Sequence, residues 1–197
     1  MLDFSNPLTY IELLAALLGA VSVWLVTRRN ILAFPIGIVM VVLYGFLFWE
    51  TKLYSDMLLQ GIFVVMQIQG WRAWQSGNRA DDARIAVRTF TPVQWIATGV
   101  FQVLGTLLLG WLMHTYTDAA SPYMDAFCAI QSIAAQWWMN QRYLENWILW
   151  IAVDEVYLFL YSSKSLWFTT VLYAFFLVLA VMGYWEWRKK TAIPNMG

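Results

Sequence analysis

Seven stretches of the chain stay apolar for about twenty residues at a time, near positions 9–27, 31–49, 53–74, 93–113, 122–140, 144–161 and 165–187. A helix of about 20 apolar residues crosses a hydrocarbon core about 30 Å thick. Lipid offers no partner to a backbone amide, so a spanning segment of this length satisfies its own hydrogen bonds as a helix. The pattern predicts an all-α integral membrane fold with seven transmembrane helices. No run has a polar face wide enough for water, which argues against a large soluble helical core. Composition agrees: 61% of the 197 residues are hydrophobic and 12% are charged, about half the charge of a soluble domain. Ser121 and Pro122 suit the N-cap and first turn of the fifth span, and Pro35, near the start of the second, is tolerable in its first turn or as a mild kink.

Charge then sets a direction. With the N-terminus outside, the inner segments hold Arg28, Arg29, Arg72, Arg79, Arg84, Arg88, Arg142, Arg188, Lys189 and Lys190, while the outer ones hold Lys52 and Lys164. Cytoplasmic segments collect Lys and Arg, so the C-terminus is expected in the cytoplasm. The formal net charge is zero, which gives no reason to expect nucleic acid as a partner. Cys128 is the single cysteine and His114 the single histidine, so neither a disulfide nor a metal site within the chain is expected. The start MLDFSNPL lacks the basic region of a cleavable leader. The polar stretch from Gln75 to Pro92 reads as a plain inward-facing linker.

A shift of 113 residues lays positions 10–74 over 123–187 without a gap. Tyr10/Tyr123, Trp24/Trp137, Arg29/Arg142, Tyr44/Tyr157, Gly70/Gly183 and Trp74/Trp187 coincide, and the acids Glu12/Asp125 match. One span lies between the copies, so the two three-helix units run parallel. The expected plan is one membrane domain over 1–197, with repeat one at about 9–74, a linker helix at about 93–113 and repeat two at about 122–187. Transporters built from parallel repeats bind substrate near the midplane, between the repeats.

Polar stripes run through several spans. On the sixth, Asn146, Trp150, Asp154, Tyr157 and Tyr161 recur every three or four residues and share a face. Gln60, Gln67, Trp71 and Trp74 form a stripe on the third, and Gln136 and Asn140 one on the fifth. Ionisable groups at membrane depth cost at least ~2.5 kcal/mol and mark a site by default, although amides and acids also serve as glue between helices. At the matching positions of repeat one stand Ala33, Gly37, Val41, Tyr44 and Phe48, and Gln60 and Gln67 face Tyr173 and Ala180 of repeat two. An asymmetric cavity is expected, with small residues on the second span leaving room beside a polar, aromatic sixth. Aromatic faces attract organic cations, and amides and carboxylates bind sugar hydroxyls. A flat cationic ring carrying a sugar fits such a lining. No HExxH, GxSxG or phosphate-loop pattern occurs, so no enzyme and no ATP-driven pump is expected. Proton coupling through Asp154 or Glu155 stays open.

At these residues the sequence resembles the PnuC family of nicotinamide riboside transporters. The marks are Leu53-Tyr54, Leu59-Gln60, Gly70-Trp71-Arg72-Ala73-Trp74 and, above all, Tyr143-Leu144-Glu145-Asn146-Trp147-Ile148-Leu149-Trp150 leading to Val153-Asp154. Tyr157, Tyr161, Leu166, Tyr173 and the segment from Gly183 to Trp187 continue the likeness. The resemblance implies SWEET-like parallel repeats, a homotrimer in the bacterial inner membrane among its lipids, and no cofactor. It implies facilitated diffusion of nicotinamide riboside into NAD biosynthesis, with a separate cytoplasmic kinase trapping the product. The candidate substrate contacts are Gln60, Gln67, Trp71, Gln136, Asn146, Trp147, Trp150, Asp154, Tyr157 and Tyr173. Related members carry thiamine or riboflavin, and thiamine is also an aromatic cation, so another vitamin remains an alternative.

Overall fold

The computed structural model describes residues 7–50, 54–77, 87–117, 121–163 and 167–191. In chain order the helices are α1 (Pro7–Thr27), α2 (Ala33–Glu50), α3 (Tyr54–Gly77), α4 (Pro92–Tyr116), α5 (Pro122–Asn140), α6 (Asn146–Ser163) and α7 (Trp167–Thr191). The side chain of Tyr161, and residues Lys52, Leu53, Arg79, Arg84, Lys164 and Leu166, lie outside the described set. By length and apolarity α1, α2, α4 and the Thr170–Thr191 part of α7 are able to cross a membrane. The other three have 24, 19 and 18 residues, enough at about 1.5 Å per residue. They are the helices that carry the amide and carboxylate stripes, which is what dilutes their apolarity.

The helices group into two compact units, Met1–Ile85 with α1–α3 and Ala86–Gly197 with α4–α7. The linker helix α4 therefore sides with the second half. In the first unit α2 packs on both α1 and α3; in the second, α4 packs on α5, α5 on α6 and α6 on α7. One outer face of α4, from Val93 through Val100, Leu104, Leu107 and Trp111, is exposed and apolar, as a lipid-facing helix requires. Thr91 caps α4 with a reciprocal capping box through Gln94, and Pro92 follows in the first turn. Ser121 occupies the N-cap position of α5, with Pro122 next, but its side chain makes no capping bond.

The two units use the same local devices 113 residues apart. α1 ends with Asn30 N–H donating to Leu25 O at 2.9 Å and Arg29 N–H to Val26 O at 2.8 Å. α5 ends with Tyr143 N–H donating to Trp138 O at 3.0 Å and Arg142 N–H to Met139 O at 2.9 Å. Both are Schellman motifs, which need a left-handed residue just past the helix. That residue is Arg29 (φ 56°) in one and Arg142 (φ 64°) in the other. Glycine would avoid a strain of roughly 1–2 kcal/mol there; arginine accepts it and sets a cation at a helix C-terminus, where the dipole favours one. Behind each turn a buried aromatic pair closes the unit. Phe34 meets Trp74 edge to face at 5.0 Å, and Trp147 meets Trp187 the same way at 5.5 Å.

The second turn carries a further fastening. Arg88 N–H donates to Arg142 O at 2.9 Å, and Leu144 N–H donates to Arg88 O at 2.8 Å. Phe90 N–H donates to the buried Glu145 carboxylate at 2.9 Å, and the Phe90 ring sits among Trp95, Trp138 and Tyr143. Gln94 Nε2 donates to Tyr143 Oη at 2.8 Å. The end of the polar linker is thus a strap bound to the α5–α6 turn, where the sequence suggested a plain connection. Burial, and then the charge of Arg88, pull the Arg142 guanidinium below its usual value, though an arginine remains protonated. Repeat one places exposed Leu32 where Glu145 stands. Glu145→Leu, which orphans the Phe90 N–H, is expected to lower stability by about 1–3 kcal/mol. Glu145→Gln keeps an acceptor and costs less; thermal unfolding in detergent compares them.

Candidate functional site

Two contacts fix how α6 lies against α7. The Trp147 ring lies where a side chain on Gly183 would stand, its atoms 2.6 Å from the place of a Cβ. Nearly two helix turns from the other end, Tyr157 meets Tyr173 with ring centroids 4.6 Å apart. In this antiparallel register Ala180 is level with Trp150 and Phe176 with Asp154. On the other side, the Cys128 thiol of α5 meets the Tyr157 hydroxyl, and Trp150 packs on Ala134, Ala135 and Leu149. That register sets Gln131 level with Asp154. Both are buried, with 5% and 6% of their surface exposed. From Trp150 to Tyr157 the helix rises about 10 Å, so an aromatic group, a carboxylate with an amide at its level, and an aromatic pair succeed one another over that length.

Several polar atoms here are buried with no hydrogen-bond partner among the described residues: Gln131 Oε1, Asn146 Oδ1, Trp147 Nε1 and Trp150 Nε1. Asn146 uses its amide nitrogen on Tyr143 O at 2.6 Å, which leaves the oxygen over. Each such group costs roughly 1–3 kcal/mol relative to one that is paired. Buried polar groups of this kind take their partners from water, an ion or a ligand.

The matching level of the first unit is built with opposite volumes. A Cβ on Gly37 would come within 2.7 Å of Gln67 Nε2 and 3.1 Å of Ser22 Oγ. Gln67 therefore fills the space that the sequence reading left vacant beside the second span. The corresponding residues of the second unit are Ala135, Trp150 and Ala180, so a small–small–large set becomes small–large–small. Trp150 occupies its own level from α6 itself, where Gln67 reaches across from α3. Gly183 is less forgiving than Gly37, because a buried indole has to move, where the amide end of Gln67 swings.

The sequence-derived set divides as follows. Trp150, Asp154, Tyr157 and Tyr173 share one side of the α5–α6–α7 unit, and Asn146 lies one turn beyond Trp150. Trp147 is wholly buried in the seam with Gly183 and Trp187, where packing accounts for it. Gln136 donates to Asn140 Oδ1 at 2.9 Å within α5, so that stripe is internally bonded. Gln60, Gln67 and Trp71 belong to the first unit. A Cβ on Gly45 would lie 3.6 Å from Gln60 Cβ, and Trp71 is half-buried. Sequence reasoning missed Gln131, which a pairing of α5 with α6 by height, not by periodicity, brings out. Glu155 is exposed on the other side of α6.

A family model described as nicotinamide mononucleotide transporter matches residues 9–189. The nicotinamide riboside transporter PnuC of Neisseria mucosa is 29% identical, over 93% of this chain and 74% of that one. A riboflavin/roseoflavin transporter, RibM of Streptomyces davaonensis, is 23% identical over 93% of this chain and 87% of its own. The crystal structure of a vitamin B3 transporter PnuC superposes with a TM-score of 0.77 at 27% identity, covering 95% of this chain and 84% of that one. The chain is a multi-pass membrane protein and belongs to the nicotinamide mononucleotide transporter family.

Proposed function

We propose that this chain carries nicotinamide riboside across the bacterial inner membrane by facilitated diffusion. The observation that supports it is the Trp150–Asp154–Tyr157 side of α6, with unpaired polar atoms beside aromatic rings in an otherwise apolar bundle. Trp150 and the Tyr157–Tyr173 pair suit a flat cationic ring, and Asp154 and the amides suit a sugar. The arginine at each Schellman turn and the basic end of α7 support a cytoplasmic C-terminus. A kinase on that side traps the product and feeds NAD biosynthesis. The repeat plan of three helices, a linker and three helices belongs to the same reading. So does a homotrimer, which would cover Glu155, since a carboxylate in mid-span is costly against lipid.

Binding to purified protein tests the substrate. Nicotinamide riboside is expected to bind saturably and thiamine to bind weakly; the reverse order moves the assignment to thiamine. Uptake is expected to follow the substrate gradient alone, so that protonophores leave the initial rate in proteoliposomes unchanged. Asp154→Asn is expected to weaken binding and slow equilibration. Should it retain binding yet lose pH-dependent accumulation against a gradient, the protein is a proton symporter.

A further inference from the structure

We infer that Gln131 and Asp154 form an acceptor pair for the vicinal hydroxyls of a substrate sugar, which makes Gln131 a specificity-determining residue. The inference rests on the nicotinamide riboside reading and adds to it where the ribose sits. Gln131 comes from α5 and Asp154 from α6, at the same level, each less than a tenth exposed. Gln131 Oε1 has no hydrogen-bond partner among the described residues. The levels on either side carry aromatic rings: Tyr157, in contact with Cys128, on one side and Trp150, packed on Ala135, on the other. A ligand group reaching this level therefore lies between two aromatic side chains.

What it meets there is two acceptors. An amide oxygen and a carboxylate each take an O–H, and neighbouring hydroxyls on a ring present two donors side by side. A buried acceptor left without its donor rejects the analogue that lacks it more strongly than a missing methylene is rejected. A nearby amide, Gln136, shows the contrast, because its nitrogen is already held by Asn140 within the same helix.

The test is a cycle between Gln131→Met and the ligand. Methionine matches glutamine in length, has no acceptor and suits an apolar seam, so it removes an unsatisfied buried group. The variant is expected to unfold at the same temperature as the parent or higher when free of ligand. It is expected to bind nicotinamide riboside about tenfold more weakly. Nicotinamide 2′-deoxyriboside and 3′-deoxyriboside complete the cycle. The parent is expected to bind at least one of them about tenfold more weakly than the riboside, and Gln131→Met is expected to lose that preference. Equal losses for riboside and deoxyribosides, or an affinity that Gln131→Met leaves unchanged, overturns the role of Gln131. A parent protein that binds no riboside at all instead overturns the substrate reading, so the two failures are distinct. A lower unfolding temperature without change in hydroxyl preference shows Gln131 to be structural and likewise overturns the inference.

Discussion

Nicotinamide mononucleotide is expected to bind at least about a hundredfold more weakly than the riboside, from an uncompensated burial cost on the order of 3 kcal/mol. The two ligands share ring and sugar and differ by one phosphate. The basic residues in the described set stand at helix ends or in turns: Arg28 and Arg29 after α1, Arg72 late in α3, Arg88 before α4, Arg142 after α5, and Arg188 to Lys190 at the end of α7. Arg142 is committed to its turn, with Arg88 beside it. Along α6, the groups from Trp150 to Tyr157 are aromatic, aliphatic or acidic. A phosphate at that depth meets Asp154 and no cation from its own helix. The matching family carries the mononucleotide in its description, so the comparison bears on how that description applies to this chain. Titration calorimetry with both ligands decides it, and equal affinities would sink the argument.

The helices were legible because apolar runs of this length leave the backbone few alternatives. The bounds of α5 match the expected fifth span residue for residue, since Pro122 and the left-handed Arg142 frame it. α3 and α7 each run three or four residues past the expected ends at 74 and 187, because their last turns leave the apolar core and no glycine or proline stops them there. The 113-residue shift showed in sequence through Arg29/Arg142 and Trp74/Trp187. Each is now seen to hold a position that tolerates few alternatives: a left-handed helix end, and a wholly buried ring.

The site was only partly legible, for reasons of distance and filling. Glu145 and the Phe90 N–H are 55 residues apart, and no periodicity connects a turn carboxylate to the end of a polar linker. Small residues on the second span suggested open space, but Gln67 from the next helix occupies it. The helical spacing of Gln136 and Asn140 lets the two side chains bond each other, so a stripe in sequence is here an internal contact. Gln131 has no such neighbour in sequence, and its setting depends on the α5–α6 register. Asp154 was legible as a candidate because a carboxylate in a membrane run stands out by cost alone.

That exchange of volumes between the units makes the other large prediction specific. Trp150→Ala is expected to weaken nicotinamide riboside binding at least tenfold, since a desolvated cation–aromatic contact is worth about 2 kcal/mol. Asn146→Ala is expected to act in the same direction. Phe48→Ala in the first unit, where the ring stacks on Tyr44 at 5.9 Å, is expected to have much less effect. Loss of a large ring also leaves a cavity, and a collapsed α5–α6–α7 seam would mimic a lost contact. The first unit supplies the remedy, because Gln67 packed over Gly37 fills the same level without an aromatic ring. Trp150→Gly combined with Ala180→Gln transplants that solution into the second unit. The double variant is expected to unfold at a higher temperature than Trp150→Gly alone, with its packing partly restored. Its affinity for the riboside is expected to stay at least tenfold down, because an amide replaces the indole face. Recovery of binding along with stability would mean that Trp150 serves the seam and not the substrate. A matching loss from Phe48→Ala would remove the asymmetry between the halves on which the site assignment stands.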